Sequence, residues 1–292
     1  MGLCWYHIYN PIYHFDMASY ITNSLSRVCI TLFLCIVSLL PADAQKSIVE
    51  AKYNVIPDNY NFWISVPEEY NEDRHKMPIV LFLHGASLCG NDLGRVKRYG
   101  VIDAVEKGKI IPAICIAPQN RGGAWNPQKL NRLLEWVQEN YLIDESRIYV
   151  LGMSLGGYGT MDFVNAYPDK VAAAIAMCGG CSTATPDGLG EVPFWIMHGT
   201  ADRAVGIEQS KKVVSYLESK GKTNLLRYDW WAGGSHGVFA RMFYLQKTYD
   251  WLFSHSLKQK PRKVDRSFDI DQADLKQTYN ELKWYKDMYE DD

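Results

Sequence analysis

The chain has 292 residues, of which 47% are hydrophobic and 22% are charged, and its formal net charge is −2. This length suits one large domain, and this composition is ordinary for a folded protein. A nearly neutral chain without a basic stripe argues against a nucleic-acid partner, and no internal repeat indicates a solenoid.

The first 44 residues have the pattern of a secretory signal peptide. Arg27 precedes an apolar run of about a dozen residues, and Ala42-Asp43-Ala44 forms an A-x-A cleavage signal before Gln45. The run is short for a membrane span, which needs about twenty residues. We therefore predict cleavage after Ala44, no stable membrane insertion afterwards, and a secreted or periplasmic location. An uncleaved anchor is the alternative.

From about residue 50 the hydrophobic pattern alternates between strands and helices. Strands are predicted at 60–66, 78–84, 114–117, 147–151, 171–177, 194–198 and 225–231, and helices at 130–141, 158–166, 210–219 and 240–253. Alternation of this kind predicts an α/β fold with three layers, in which a mostly parallel central sheet carries helices on both faces. We assign residues 45–257 to this domain.

A serine lies between one predicted strand and the following helix. Ser154 is the centre of Gly152-Met153-Ser154-Leu155-Gly156, a G-x-S-x-G pentapeptide. A sharp strand-to-helix turn strains the serine backbone and leaves room only for glycine two residues to either side. The pattern therefore predicts that Ser154 is a catalytic nucleophile.

A serine nucleophile needs a base and a group that orients the base. Asp202 follows the strand predicted at 194–198, and His236 lies in a glycine-rich loop between the last strand and the last helix. We predict that His236 is the general base and that Asp202 fixes its tautomer. His84 and His198 end buried strands, and we interpret both as structural hydrogen-bonding residues.

The oxyanion of a tetrahedral intermediate needs two N–H donors. The N–H of Leu155 follows the nucleophile and is the first candidate. The second is expected from the turn after His84-Gly85, where the N–H of Ala86 fits best and that of Ser87 is the alternative.

Two further features leave alternatives open. Cys178 and Cys181 have the spacing of a local disulfide or of two small residues in a tight loop, and no second C-x-x-C accompanies them, so we expect no zinc site.

Residues 258–292 resemble a charged linker followed by an amphipathic helix, which would pack on its own domain or contact a partner. The oligomeric state therefore stays open.

These segments resemble the α/β-hydrolase superfamily. Within it, the chain is similar to secreted bacterial esterases of the feruloyl esterase and polyhydroxybutyrate-depolymerase-like group, whose members are named variously as carboxylesterases, phospholipases or peptidases. The resemblance covers roughly residues 50–256. It is carried by residues 81–86, 90–93, 125–127, 147–149, 152–159, 178–180, 198–202 and 235–236.

The chain departs from the family pattern at two places. The turn after His84-Gly85 reads Ala86-Ser87-Leu88-Cys89-Gly90, where relatives often have Ala-Gly-Glu-Arg-Gly. One tryptophan, Trp125, stands where relatives often have two. We expect Ser87 and Trp125 to line the substrate pocket, with a core aromatic as the alternative for Trp125.

The resemblance implies a secreted serine esterase that acts on esters of plant polysaccharides, such as feruloyl or acetyl groups, through an acyl-enzyme. We expect it to use no metal and no organic cofactor. One alternative is a peptidase of the prolyl oligopeptidase type. The other is a non-catalytic carbohydrate-binding or adhesion protein on a hydrolase fold.

Overall fold

The computed structural model of the chain describes residues 47–68, 70, 76–271, 273–275 and 278. The predicted signal peptide lies outside these residues, as does most of the predicted C-terminal helix. Among the described residues, no helix combines the length and the apolar composition that a membrane span requires.

Eight strands form one sheet in the order β1-β2-β4-β3-β5-β6-β7-β8. β2 pairs with β1 and β4 in antiparallel orientation, and every other neighbouring pair is parallel. The strands are β1 (Ser47–Lys52), β2 (Phe62–Pro67), β3 (Met77–Leu83), β4 (Ile114–Pro118), β5 (Ile143–Met153), β6 (Ala173–Met177), β7 (Phe194–Gly199) and β8 (Leu226–Trp231).

Helices cover both faces of the sheet, as predicted. They are α1 (Val101–Glu106), α2 (Pro127–Asn140), α3 (Leu155–Ala166), α4 (Glu208–Ser219) and α5 (Gln246–Phe253). Short 3₁₀ helices span Ala86–Leu88, Leu93–Arg98, Asp187–Glu191 and His236–Tyr244. α1 and α5 belong to one apolar core, and α2, α3 and α4 belong to the other.

Alternate residues of the central strands enter the two cores. Val80 and Phe82 of β3 belong to the core on the α1 side, whereas Ile79 and Leu81 belong to the core on the α2 side, and all four are fully buried. Burial on both faces explains why these strands read as continuous apolar runs. The apolar runs stop where the strands end, and the polar residues of the predicted site lie at these ends.

The predicted helix over 240–253 is divided into two pieces. The 3₁₀ helix His236–Tyr244 precedes α5, and Leu245 between them is extended, with φ −83° and ψ 127°. The buried side chains Phe243, Tyr244 and Tyr249 anchor both pieces to the same core. The apolar spacing across 240–253 therefore predicts the buried residues correctly, but the single continuous helix that it predicts is wrong.

The segment predicted to be a linker lies against the domain up to residue 271. The guanidinium of Arg262 donates hydrogen bonds to the carbonyls of Glu191, Val171 and Ala172 at 2.7–2.9 Å. Val264 and Ile270 are also buried. The chain after α5 thus returns across the end of the sheet opposite to the predicted site.

Candidate active site

Ser154 forms the turn between β5 and α3. Its backbone has φ 61° and ψ −123°, a conformation that is rare and strained for a residue with a side chain. Two hydrogen bonds hold it in place: the Ser154 N–H donates to the Met177 carbonyl at 2.9 Å, and the Tyr158 N–H donates to the Ser154 carbonyl at 3.0 Å. This is the strand-to-helix turn that the pentapeptide predicts.

Close packing explains the two glycines that flank Ser154. A Cβ added to Gly156 would lie 1.8 Å from the carbonyl oxygen of Leu83, at the end of the neighbouring strand. A Cβ added to Gly152 would lie 2.4 Å from the carbonyl oxygen of Gly156. Glycine is therefore required at both positions because backbone, and not a movable side chain, fills the space.

Asp202 and His236 are in direct contact. His236 Nδ1 lies 2.7 Å from Asp202 Oδ2, so the Nδ1–H donates to the carboxylate. The Asp202 side chain has no exposed surface, whereas that of His236 is 23% exposed. With Nδ1 protonated, the Nε2 atom of His236 has the lone pair that a general base needs.

The loops after β7 and β8 hold this pair together. The Gly233 N–H donates to Thr200 Oγ1 at 2.8 Å, and the Ala201 N–H donates to the Gly234 carbonyl at 3.1 Å. A Cβ on Gly199 would lie 2.0 Å from that same carbonyl oxygen, so the two loops pack without intervening side chains. Gly234 of the glycine-rich loop therefore serves close packing, whereas nothing lies within 4 Å of a Cβ added to Gly233 or Gly237.

Asp202 is held in its charged form by its surroundings. Burial alone would raise the pKa of this carboxyl group. The hydrogen bonds that it accepts from Val205 N–H, His236 and Ala204 N–H outweigh burial, so the pKa lies below its ordinary value. An ionised Asp202 is what stabilises the imidazolium formed when a base takes up a proton.

His198 lies on the other side of Asp202. Its Nε2 is 3.3 Å from Asp202 Oδ2 and 2.9 Å from the Val205 carbonyl oxygen, so this nitrogen carries a proton. Its Nδ1 contacts Ser210 Oγ at 2.7 Å. The sequence interpretation of His198 as a hydrogen-bonding residue missed that one partner is the catalytic candidate Asp202. No sequence signal marks this contact, because it depends on how the loop after β7 folds back on the strand.

Cys178 also borders the pair. Its backbone has φ 51°, its thiol is buried, and its Sγ lies within 4.8 Å of the Asp202 and His236 ligand atoms. Burial and the neighbouring carboxylate raise the pKa of the thiol, so it is neutral. Cys181 instead directs its Sγ to Asp162 Oδ1 at 3.4 Å, and both cysteines are free.

The predicted oxyanion donors flank Ser154. Leu155 is the first residue of α3, where backbone N–H groups have no partner within the helix. Ala86 begins the 3₁₀ helix after β3 and is exposed. A Cβ added to Gly85 would lie 3.4 Å from Ser154 Cβ, which places this turn beside Ser154. The assignment of the two donors stays a prediction.

His84 fixes the backbone of this turn. Its Nδ1–H donates to the Gly85 carbonyl at 2.8 Å, and its Nε2 accepts from the Asn120 N–H at 3.0 Å. Burial lowers the pKa of His84 to about 4, so the ring is neutral at physiological pH. A proton on Nε2 would face the Asn120 N–H, another donor, which agrees with the lowered pKa of His84.

The two predicted pocket residues have different surroundings. Trp125 is only 3% exposed; its ring packs against Tyr60 and His84, and its Nε1–H donates to the His84 carbonyl at 3.3 Å. These contacts favour the core alternative for Trp125. Ser87 is exposed in the turn beside Ser154, with its Oγ 3.4 Å from the Tyr99 hydroxyl, and its pocket role stays a prediction.

Comparison with known proteins identifies the family. The Esterase family model, described as "Putative esterase", matches residues 54–226. This range contains Ser154 and Asp202, and His236 follows it. No curated protein matches the chain.

Solved esterase structures share the fold. A thermostable esterase is 28% identical with a TM-score of 0.57; the alignment covers 72% of this chain but only 63% of that esterase. The feruloyl esterase module of Clostridium thermocellum, complexed with sinapinate, is 15% identical with a TM-score of 0.51, covering 67% of this chain and 84% of the module. S-formylglutathione hydrolase from Staphylococcus aureus is 18% identical with a TM-score of 0.53, covering 71% of this chain and 98% of that enzyme.

The family match spans more than half of the chain, and the sheet order and the strained serine turn agree with it. The chain therefore belongs to this esterase family and has the α/β-hydrolase fold.

Proposed function

We propose that the protein is a secreted serine hydrolase that cleaves carboxylic ester bonds through Ser154, His236 and Asp202. The observation that carries this proposal is the 2.7 Å contact between His236 Nδ1 and the buried Asp202 carboxylate, combined with the strained Ser154 turn in an esterase family member.

The reaction uses groups that the chain itself supplies. Ser154 Oγ attacks the ester carbonyl carbon while His236 Nε2 takes the hydroxyl proton, and Asp202 stabilises the resulting imidazolium. The N–H groups of Leu155 and Ala86 hold the oxyanion. His236 then gives the proton to the leaving alcohol as the ester C–O bond breaks. Water attacks the acyl-enzyme with His236 again as base, which releases the acid and restores Ser154.

We infer that the substrates are feruloyl or acetyl esters of plant polysaccharides. Two observations support this class: the resemblance of the sequence to feruloyl esterases, and the structural likeness to a feruloyl esterase module complexed with sinapinate.

Secretion is supported by the signal-peptide pattern in residues 1–44. Mass spectrometry of the exported protein should find Gln45 as its first residue.

A substrate panel tests this proposal. We expect hydrolysis of methyl ferulate and release of acetate from acetylated xylan, with little cleavage of proline-containing peptides. Preferred cleavage of the peptides would replace the esterase assignment with a peptidase of the prolyl oligopeptidase type. Xylan binding without any hydrolysis would support a carbohydrate-binding protein instead.

A further inference from the structure

A polar cavity of about 490 Å³ adjoins the turn that carries the predicted oxyanion donor Ala86. It lies at the carboxyl end of β4, and its wall includes Gly90, four residues after Ala86. Two hydrogen bonds join the cavity to the turn: the Gly90 N–H donates to the Asn120 carbonyl at 3.1 Å, and the Asn120 N–H donates to the His84 side chain at Nε2. A molecule in this cavity would therefore lie beside the segment that carries Ala86.

Side-chain amides dominate the wall of the cavity. Besides Gln119, six asparagines line it: Asn54, Asn59, Asn61, Asn91, Asn120 and Asn126. Each amide can donate and accept hydrogen bonds, as each hydroxyl group of a sugar can. The protein itself already occupies part of this set: both ends of the Asn59 and Asn120 amides, and the side-chain carbonyl oxygens of Asn61 and Asn126, bond to neighbouring backbone groups. The other amide groups, on Asn54, Asn61, Asn91 and Asn126, are the ones that can bond a ligand. The chemistry of the wall thus favours a polyhydroxylated ligand.

Gln119 supplies an independent sign of a missing partner. Its side-chain Nε2 donates to the carbonyls of Leu88, Gly90 and Asn120 at 2.8–3.0 Å, which fixes the orientation of the amide. Its Oε1 is buried and has no hydrogen-bond partner among the described residues, although the side chain lines the cavity. Buried acceptors are normally satisfied, so this oxygen lacks the partner that such atoms usually have.

The charges and the aromatic surface of the wall further limit which ligands the cavity can bind. The ammonium of Lys129 at the cavity wall is paired with Asp58 at 3.0 Å, which reduces its attraction for an anionic ligand, and the exposed Arg121 adds a second cation to the same wall. The ring of Tyr60 adds an aromatic surface to the same wall. Sugars combine hydroxyl groups with apolar C–H faces, and this wall offers partners for both.

We propose that this cavity binds a neutral sugar unit of the polysaccharide that carries the scissile ester, an inference that rests on the proposed function for the identity of the ligand. The ester reacts at Ser154 while a neighbouring sugar unit occupies the cavity. Binding there favours polymeric or oligomeric esters over simple methyl esters.

Two substitutions at exposed wall residues test the proposal. Asn91→Ala removes one amide, and Ala124→Phe fills part of the cavity; both positions are exposed, so the changes do not disturb the core. Gln138→Ala is the matched polar control, in a surface cavity beside the start of β5. Ala166→Phe is the matched control for size, at an exposed position where α3 ends.

Binding is measured by calorimetry with xylotetraose on proteins that also carry Ser154→Ala, so that catalysis does not intervene. We expect Ser154→Ala to bind the sugar, the two wall variants to bind it at least tenfold more weakly, and the two controls to bind it unchanged. Absence of binding, or equal binding by all variants, would overturn the proposal.

Kinetics with otherwise wild-type proteins provides the second measurement. We expect the ratio of kcat/KM for a feruloylated xylo-oligosaccharide to that for methyl ferulate to fall at least tenfold in both wall variants. An equal fall for both esters would assign the cavity to the acyl group and overturn the proposal. If the wild type hydrolyses no ester, the proposed function fails, whereas the xylotetraose measurement still decides whether the cavity is a sugar site.

Discussion

His198 Nε2 lies 3.3 Å from Asp202 Oδ2, the same oxygen atom that His236 Nδ1 contacts at 2.7 Å. One carboxylate therefore has a histidine on each side. Burial lowers the pKa of His198, although the Val205 carbonyl and the Asp202 carboxylate act in the opposite direction. The ring is thus a neutral N–H donor that orients Asp202 rather than a proton carrier.

We expect His198→Phe to lower kcat about tenfold or more with little change in KM, because a hydrogen bond to a charged group contributes about 1.5–3 kcal/mol. His198→Gln keeps an N–H donor and should retain most of the activity. Steady-state kinetics between pH 5 and 9 would show both effects. Equal losses in the two variants would mean that His198 acts only through packing.

The serine turn should tolerate no side chain at Gly156. We expect Gly156→Ala to destabilise the protein by about 3 kcal/mol or more, since the added Cβ would lie 1.8 Å from the Leu83 carbonyl oxygen. Gly206→Ala is the matched control because nothing lies within 4 Å of its added Cβ. Urea unfolding measures both variants, and similar free energies of unfolding would show that the turn relaxes.

His84 should lower the free energy of unfolding at acidic pH. Its pKa is about 4 in the folded protein against an ordinary value of 6.5, so between these values the unfolded chain binds a proton that the folded protein does not. The free energy of unfolding should therefore fall by about 3 kcal/mol from this group as the pH drops from 6.5 to 4. His84→Gln should lack this contribution. Urea unfolding of both proteins at pH 7 and pH 4 measures it, and equal losses would contradict it.

Arg262 should anchor the segment after α5. We expect Arg262→Ala to lower the free energy of unfolding by about 2 kcal/mol, because three backbone carbonyls lose a charged donor. Lys263→Ala, at the exposed neighbouring position, should have little effect. Thermal unfolding compares them; an Arg262 variant as stable as the Lys263 variant would show that the segment adds no stability.

Periodicity located the buried elements because burial on both faces makes strands continuously apolar. Seven strands were predicted near their observed positions. β1 was missed because it is an edge strand with alternating exposure, in which Ile48 is 54% exposed and no buried run marks it. α1 was missed because its six residues are too few to establish a helical period.

The serine motif and the positions of two residues after predicted strands predict Asp202 and His236 as partners, and the structure places these two side chains in contact. The motif and these positions could not reveal His198 or Cys178 as neighbours of Asp202, because those contacts depend on how the loops after β6, β7 and β8 pack. The position of Trp125 in the core likewise follows from its packing on His84 and on Gly159, whose added Cβ would lie 2.5 Å from the indole. Sequence spacing carries no information on such contacts.

Labelling with a fluorophosphonate probe decides whether Ser154 is the nucleophile. The probe phosphonylates activated serines, and peptide mass spectrometry locates the modified residue. We predict labelling of the wild type at Ser154 alone. With Ser154→Ala we predict no labelling and no hydrolysis of p-nitrophenyl acetate above background. Labelling of a different residue, or equal hydrolysis by the two proteins, would contradict this assignment.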